Sequence, residues 1–293
     1  MTDKIEKNNS ERVKKIAKLV GLYAVIVLAL LLLLIPFYVL FISSFKTLAE
    51  SYEEFTWWPK VFTGEAYRFI LTGSALGLSF PRAFLNTLII AVPTTIVGLF
   101  VSSMSAFIFA KYKFVGREIA FALLLSTMMI PGAVTMMPSY IIYSQIGWTG
   151  TYLPLMLPAM FGGATCVFFM RQFISGIPTD LIEAAELDGM NKFRIFISII
   201  FPLSAPALIA QGLLLFIGSY NDYFGPLIYC QESDRFTLQV LLSAFNTMSG
   251  SAAGKNIPVI MAGSVICMLP LWIIYIFTQK FFISGITVSG LKA

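Results

Sequence analysis

Long runs without a single charge constrain this chain more than any other feature. Residues 19–45 carry none, and after Glu118 none appears until Arg171, a gap of 52 residues. A helix needs about 20 apolar residues to cross the hydrocarbon core of a bilayer. The first run therefore makes one span, and the second is too long for one and right for two. Residues 83–110 and 256–279 are also uncharged, and 203–229 is broken only by Asp222. Lipid cannot satisfy exposed backbone N–H and C=O groups, so such runs must fold as helices. The expectation is an all-α membrane protein with six transmembrane helices.

Composition agrees. The chain is 58% hydrophobic and 12% charged, against about 25% charged residues in a soluble domain. The net charge of +5 comes from basic residues in loops and in the N-terminal tail, so it is no sign of nucleic-acid binding. With both termini in the cytoplasm, fourteen Lys and Arg fall inside and six outside. That is the sense of the positive-inside rule. The reading gives a cytoplasmic tail (1–18), a first span (19–45), an extracytoplasmic segment (46–82), a five-helix core (83–280) with a cytoplasmic loop at 175–202, and a cytoplasmic tail (281–293). The first run exceeds the core of a signal peptide and no small-residue cleavage site follows it, so it reads as retained. Trp57 and Trp58 suit either the lipid–water interface or a small packed cap. The stretch from Gln145 to Gly150 reads as a short outer turn between the third and fourth spans.

The chain lacks the constellations of a membrane enzyme. It has no histidine, the commonest general base and metal ligand. Cys166, Cys230 and Cys267 are scattered and read as small apolar packers. Gly250 to Asn256 is one residue short of a phosphate loop and has Asn where the metal-binding Ser or Thr belongs, so it is rejected as a nucleotide site.

Polar residues inside spans are candidates for a solute pathway. Ser and Thr there, such as Thr94, Thr95 and Ser219, usually serve close packing or bond back to a carbonyl. Asn86 and Gln211 are harder to leave unpaired and are better candidates for a pathway lining. In Tyr220-Asn221-Asp222, Asp222 is the one carboxylate near a span interior; it faces either a cavity or the outer water boundary. Tyr220 and Tyr223 present rings that stack on sugars, and are also ordinary interface anchors.

The segment from Pro178 to Pro202 is charged and amphipathic between apolar runs. Pro178 and Asp180 open a helix, Asp180 and Glu183 resemble a capping box, and Asp188-Gly189 closes it. Ala184 and Ala185 leave one face bare for close approach by another protein. A second short helix from about Asn191 to Ile200 follows, and Pro202 turns the chain into the next span. From physics alone, a helix lying on the headgroups fits as well as a docking element.

The spacing adds a resemblance. Glu183-Ala184-Ala185, Gly189, Ile199 and Phe201-Pro202 are similar to the EAA signature of ATP-binding-cassette importer permeases, with Phe201 in place of the usual Leu. Arg171-Gln172-Phe173, Ile177-Pro178 and the closing residues from Gln279 to Ala293 look like the smaller permease of carbohydrate importers of the maltose-transporter type. Tyr220-Asn221-Asp222 resembles the Trp-Asn-Glu/Asp element of that branch, with Tyr220 for Trp.

The resemblance implies a type I importer permease fold in the cytoplasmic (inner) membrane and no enzymatic activity. It implies a coupling helix whose Glu183, Ala184, Ala185, Asp188 and Gly189, with Pro202 beyond, dock on an ATPase. The implied partners are a second, different permease, two copies of the ATPase and an extracytoplasmic solute-binding protein. ATP and Mg would bind those ATPase subunits, with no cofactor in this chain. The implied cargo is a sugar; a polyol or glycerol phosphate carried by the same class of permease is the alternative. A secondary transporter is the weaker reading, because Asp222 is the only intramembrane charge and no inverted repeat is visible.

Overall fold

A computed structural model describes residues 2–72, 79–248 and 256–290, with side chains over 15–72, 79–246 and 256–279. The rejected phosphate loop at Gly250 to Lys255 and the last three residues of the tail lie outside the described residues. Every regular element among the described residues is helical.

Helix α1 (Thr2–Ser43) takes in the first uncharged run as far as Ser43, continues through Pro36 and packs chiefly on the last helix. Helix α2 (Glu65–Thr72) seats Ala66 and Ile70 in the core. Helix α3 (Phe80–Lys111) is the axis of the molecule, started by Pro81 in its first turn and by the Ser79 hydroxyl accepting the Arg82 N–H. Ala83, Thr87, Ala91, Thr94, Gly98, Ser102 and Ala106 recur along it every three or four residues and are buried. Such a stripe of small residues lets helices approach closely in lipid. At Gly98 a Cβ would stand 2.6 Å from the Ala159 carbonyl oxygen, so that contact requires glycine.

Helices α4 (Arg117–Thr127) and α5 (Gly132–Gln145) meet at 94° around Pro131. Helices α6 (Leu153–Met160) and α7 (Ala164–Ser175) form one apolar run of 23 residues against α3. Then come α8 (Asp180–Leu187), α9 (Lys192–Ile195), a π-turn at Phe196–Ile200 and the single turn α10 (Phe201–Leu203). At Ser204 the chain bends by 83° into α11 (Ala205–Tyr220). Helices α12 (Phe224–Tyr229), α13 (Leu238–Met248) and α14 (Ile257–Gly290) complete the order.

Among the described residues four helices are long and apolar enough to cross a membrane, and the two bent pairs bring the number to six if each is one span. Two buried clusters lie at opposite ends of α3. One gathers Ile70, Phe80, Phe216, Tyr220, Leu241 and Ala262. The other gathers Phe107, Met170, Ile174, Ile182, Ala185 and Phe196, and seats the α8–α10 segment.

Candidate functional site: a braced surface segment and a cavity between spans

Helix α8 begins one residue earlier than the capping-box reading requires. Thr179 is its N-cap, already in helical conformation, and its carbonyl accepts the N–H groups of Ile182 and Glu183 at 2.8 and 3.1 Å. Asp180 is therefore the first helical residue and makes no side-chain cap. Asp180 and Glu183 remain in the first turn, where carboxylates oppose the positive end of the helix dipole.

The other end is a complete Schellman motif. The Gly189 N–H reaches the Glu186 carbonyl and the Met190 N–H reaches the Ala185 carbonyl, both at 3.0 Å. Gly189 has φ +79°, the left-handed conformation the motif needs. Asn191 then caps α9, its Oδ1 accepting the Arg194 N–H at 2.9 Å.

One face of α8 is seated and the other is free. Ile182 and Ala185 are buried in the inner cluster, so of the two alanines only Ala184 is bare. Glu183, Ala184, Leu187 and Asp188 are exposed, Leu187 to 90%. Leu187 follows Glu183 and Ala184 at helical spacing, the signal by which sequence reading could have included it.

Residues beyond the signature hold this segment from behind. The Tyr112 hydroxyl donates to Glu186 Oε1 at 3.2 Å. Lys192 Nζ stands 4.4 Å above the Tyr112 ring. Burial, and the bond to the charged Glu186 carboxylate, push the Tyr112 phenol up to about 12, so it stays a donor at neutral pH. Lys111 Nζ donates to the Ile177 carbonyl and to that of Ser175, capping the end of α7. Arg171 donates to the Phe109 carbonyl at 3.3 Å and lays its guanidinium 3.9 Å from the Phe121 ring centre. Inside, Tyr112 packs on Phe107 at 5.3 Å and Phe107 on Phe196 at 5.7 Å; Phe196 also packs on Phe100 and Phe201. A line of rings thus runs from α3 into the π-turn.

The pathway candidates are dispersed. Asn86 spends its amide on the Asp234 and Phe236 carbonyls at 2.9 and 3.0 Å. Gln211 is buried on α11. Tyr220 is buried and donates to the Cys267 carbonyl at 3.0 Å. Asn221 accepts from Gln239 at 3.2 Å. Asp222 accepts the Gly225 N–H at 3.2 Å and also lines a cavity of about 370 Å³ between α3, α6 and α11. Thr94, Thr95 and Ser219 share that cavity. The Thr94 hydroxyl bonds back to the Ile90 carbonyl at 2.7 Å, and the buried Thr95 hydroxyl has no partner among the described residues. No cluster of three metal-ligating side chains occurs among the described residues.

These observations define a polytopic helical membrane protein with a braced surface segment and a polar-lined cavity between spans. Residues 98–288 match the family described as "Binding-protein-dependent transport system inner membrane component". The chain belongs to that family, a class of transport permeases rather than enzymes. It is 36% identical to the arabinooligosaccharides transport system permease protein AraQ of Bacillus subtilis (strain 168), over 89% of this chain and 92% of AraQ. It is 29% identical to the osmoprotective compounds uptake permease protein GgtD of Synechocystis sp. (strain PCC 6803), over 98% and 96%. The crystal structure of a bacterial ABC transporter involved in the import of the acidic polysaccharide alginate contains a chain with the same fold. The TM-score is 0.79 at 23% identity, over 90% of this chain and 97% of that one.

Proposed function

We propose that this chain is one of two permease subunits of an ATP-driven, binding-protein-dependent carbohydrate importer. It spans the membrane six times with both termini on the cytoplasmic side. The α8–α10 segment is the coupling element, and Glu183, Ala184, Leu187 and Asp188 enter a groove of the ATPase. The observation that carries this reading is the contrast between the two faces of α8: one uncovered, the other bonded through Tyr112 and Lys192 to the end of α3. Ordered surface with a fixed back suits a part that is pushed.

In this mechanism no bond of the solute is broken. ATP draws two ATPase copies together, their grooves carry α8, and the segment moves as a unit because both its helices are capped. Phe196 and Phe107 pass the displacement to α3, which lines the cavity at Thr94 and Thr95. A different second permease completes the pathway, and an external binding protein delivers the solute.

A neutral polyhydroxylated solute, a sugar or a polyol, fits the cavity best. Ser219 offers a hydroxyl and Asp222 a carboxylate acceptor. A phosphate ester would meet the Asp222 charge with no cation among the lining residues. The name of AraQ, an arabinooligosaccharide permease, points to a solute of the same chemical kind.

The test is uptake by the assembled complex in proteoliposomes. Solute entry should require ATP, the binding protein and both permeases, and Gly189→Asp should abolish entry while the chain still inserts. Uptake by this chain alone under an ion gradient, or normal uptake by the Gly189 variant, would sink the reading.

A further inference from the structure

The segment that follows α1 is built inside out for a loop in water. Two of its charged side chains face inward, while Glu53, Glu54 and Lys60 stay exposed, Lys60 paired with Glu53. Lys46 and Glu50 are both buried; Lys46 Nζ donates to the Thr56 carbonyl and hydroxyl at 2.7 and 2.9 Å. Glu50 Oε1 accepts from the Thr56 hydroxyl at 3.1 Å and from the Lys60 N–H at 2.9 Å. Its large apolar side chains face outward: Phe55, Trp57, Trp58, Val61 and Phe62 are exposed, Trp58 to 64%.

The inward network folds the segment back along the helix it came from. The Tyr38 hydroxyl donates to the Trp57 carbonyl at 2.8 Å, and the two rings lie 6.4 Å apart. Phe62 stacks on Phe45 at 4.5 Å, and Thr63 donates to the Phe45 carbonyl at 2.9 Å. Tyr38 stands five residues before the end of α1 at Ser43, roughly 7 Å back along the axis. The uncharged run starts at residue 19, and twenty residues of helix, about 30 Å, bring it to Tyr38. Trp57 is therefore held level with the edge of the hydrocarbon core. The exposed rings continue the exposed apolar face of α1 at Phe37 and Phe41.

We infer that the 55–62 segment is a membrane-inserted wedge, with Trp57, Trp58 and Val61 in the headgroup–acyl boundary at the C-terminal end of α1. The partner is lipid. Aromatic rings with a polar edge partition to that layer, and the exposed side chains of the wedge continue the apolar face that α1 exposes. It anchors the end of α1 and sets its depth.

The test uses the complete transporter reconstituted in liposomes, with a nitroxide at Trp58→Cys, at Val61→Cys and, as the reference on the same segment, at the exposed Glu54→Cys. The native cysteines are buried, and the signal of the unsubstituted complex is subtracted. Power saturation with oxygen and with a water-soluble nickel chelate reads the surroundings. The expected ratio of oxygen to nickel accessibility is several-fold higher at 58 and 61 than at 54. A water-like ratio at either position overturns the wedge. So does low access to both reagents, which would mean that the partner permease or the binding protein covers it. Val61 keeps the test valid if loss of Trp58 loosens the segment.

Discussion

The Tyr112 phenol and the Glu186 carboxylate, 74 positions apart, meet at 3.2 Å and join the end of α3 to the back of α8. Burial and this bond push the phenol up to about 12, so Tyr112 remains the donor at neutral pH. Replacing Tyr112 by Phe or Glu186 by Gln should each weaken a charge-assisted hydrogen bond, worth about 1 kcal/mol once solvent screening is allowed for. The expected result is less solute moved per ATP hydrolysed, with insertion unchanged. The double variant should be no worse than the worse single one. Parallel uptake and ATPase measurements on the reconstituted complex check this; additive losses would mean that the two side chains act separately.

Gly189 tests the stiffness of the segment. A Cβ there meets open space within the chain, so an uncharged replacement is penalised by φ +79° alone, whereas Asp adds a charge beside the face offered to the ATPase. Gly189→Ala should cost about 1–2 kcal/mol. Gly189→Asn should cost less, because asparagine tolerates the left-handed region. Uptake should fall in the order Gly, Asn, Ala. Equal activity of Asn and Ala variants would remove the backbone argument.

Asp222 should discriminate by charge. Asp222→Asn keeps an acceptor for the Gly225 N–H while removing the carboxylate from the cavity wall. Uptake of a neutral sugar should change little. Competition by a phosphate ester should rise on the order of tenfold, the scale of a like-charge contact relieved in a partly screened site. Inhibition constants for glycerol phosphate in the two complexes measure it.

Glu50 gives the wedge a pH limit. Burial pushes its carboxyl up, but the Lys60 amide, the Thr56 hydroxyl and the Lys46 ammonium outweigh that and hold it below its ordinary value of 4.5. A lowered folded value means that the stabilisation is complete above the unfolded value and is lost as pH falls through the folded one. The 55–62 segment should therefore stay ordered at neutral pH and loosen in acid, as pH falls below the ordinary carboxyl value of 4.5. Nitroxide mobility at position 61 reads this, and Glu50→Gln should flatten the response.

What could be read in the residues followed local rules. The uncharged runs forced helices, and Asp188-Gly189 forced an end to α8, because a left-handed cap is a property of neighbouring residues. The start of α8 was misplaced by one residue because Thr179 and Asp180 both suit an N-cap, and the choice depends on how Ile182 seats in the inner cluster. Distant pairings left no trace. Asn86 looked like an orphan polar group in a span, but its partners lie about 150 residues away in the turn before α13. Thr94 and Thr95 looked like packing residues, and only the crossing of α3, α6 and α11 sets them beside Asp222 around one cavity. The bracing of α8 by Lys111 and Tyr112 was hidden for the same reason: basic loop residues counted toward topology carry no sign of which carbonyl or carboxylate they reach.

In the proposed coupling, the 83° corner at Ser204 would work as a bell crank. A thrust delivered along α9 and α10 cannot run on down α11; it arrives there as a sideways torque about the corner. On that reading, straightening the corner would turn the crank into a piston and leave the neighbouring spans unmoved.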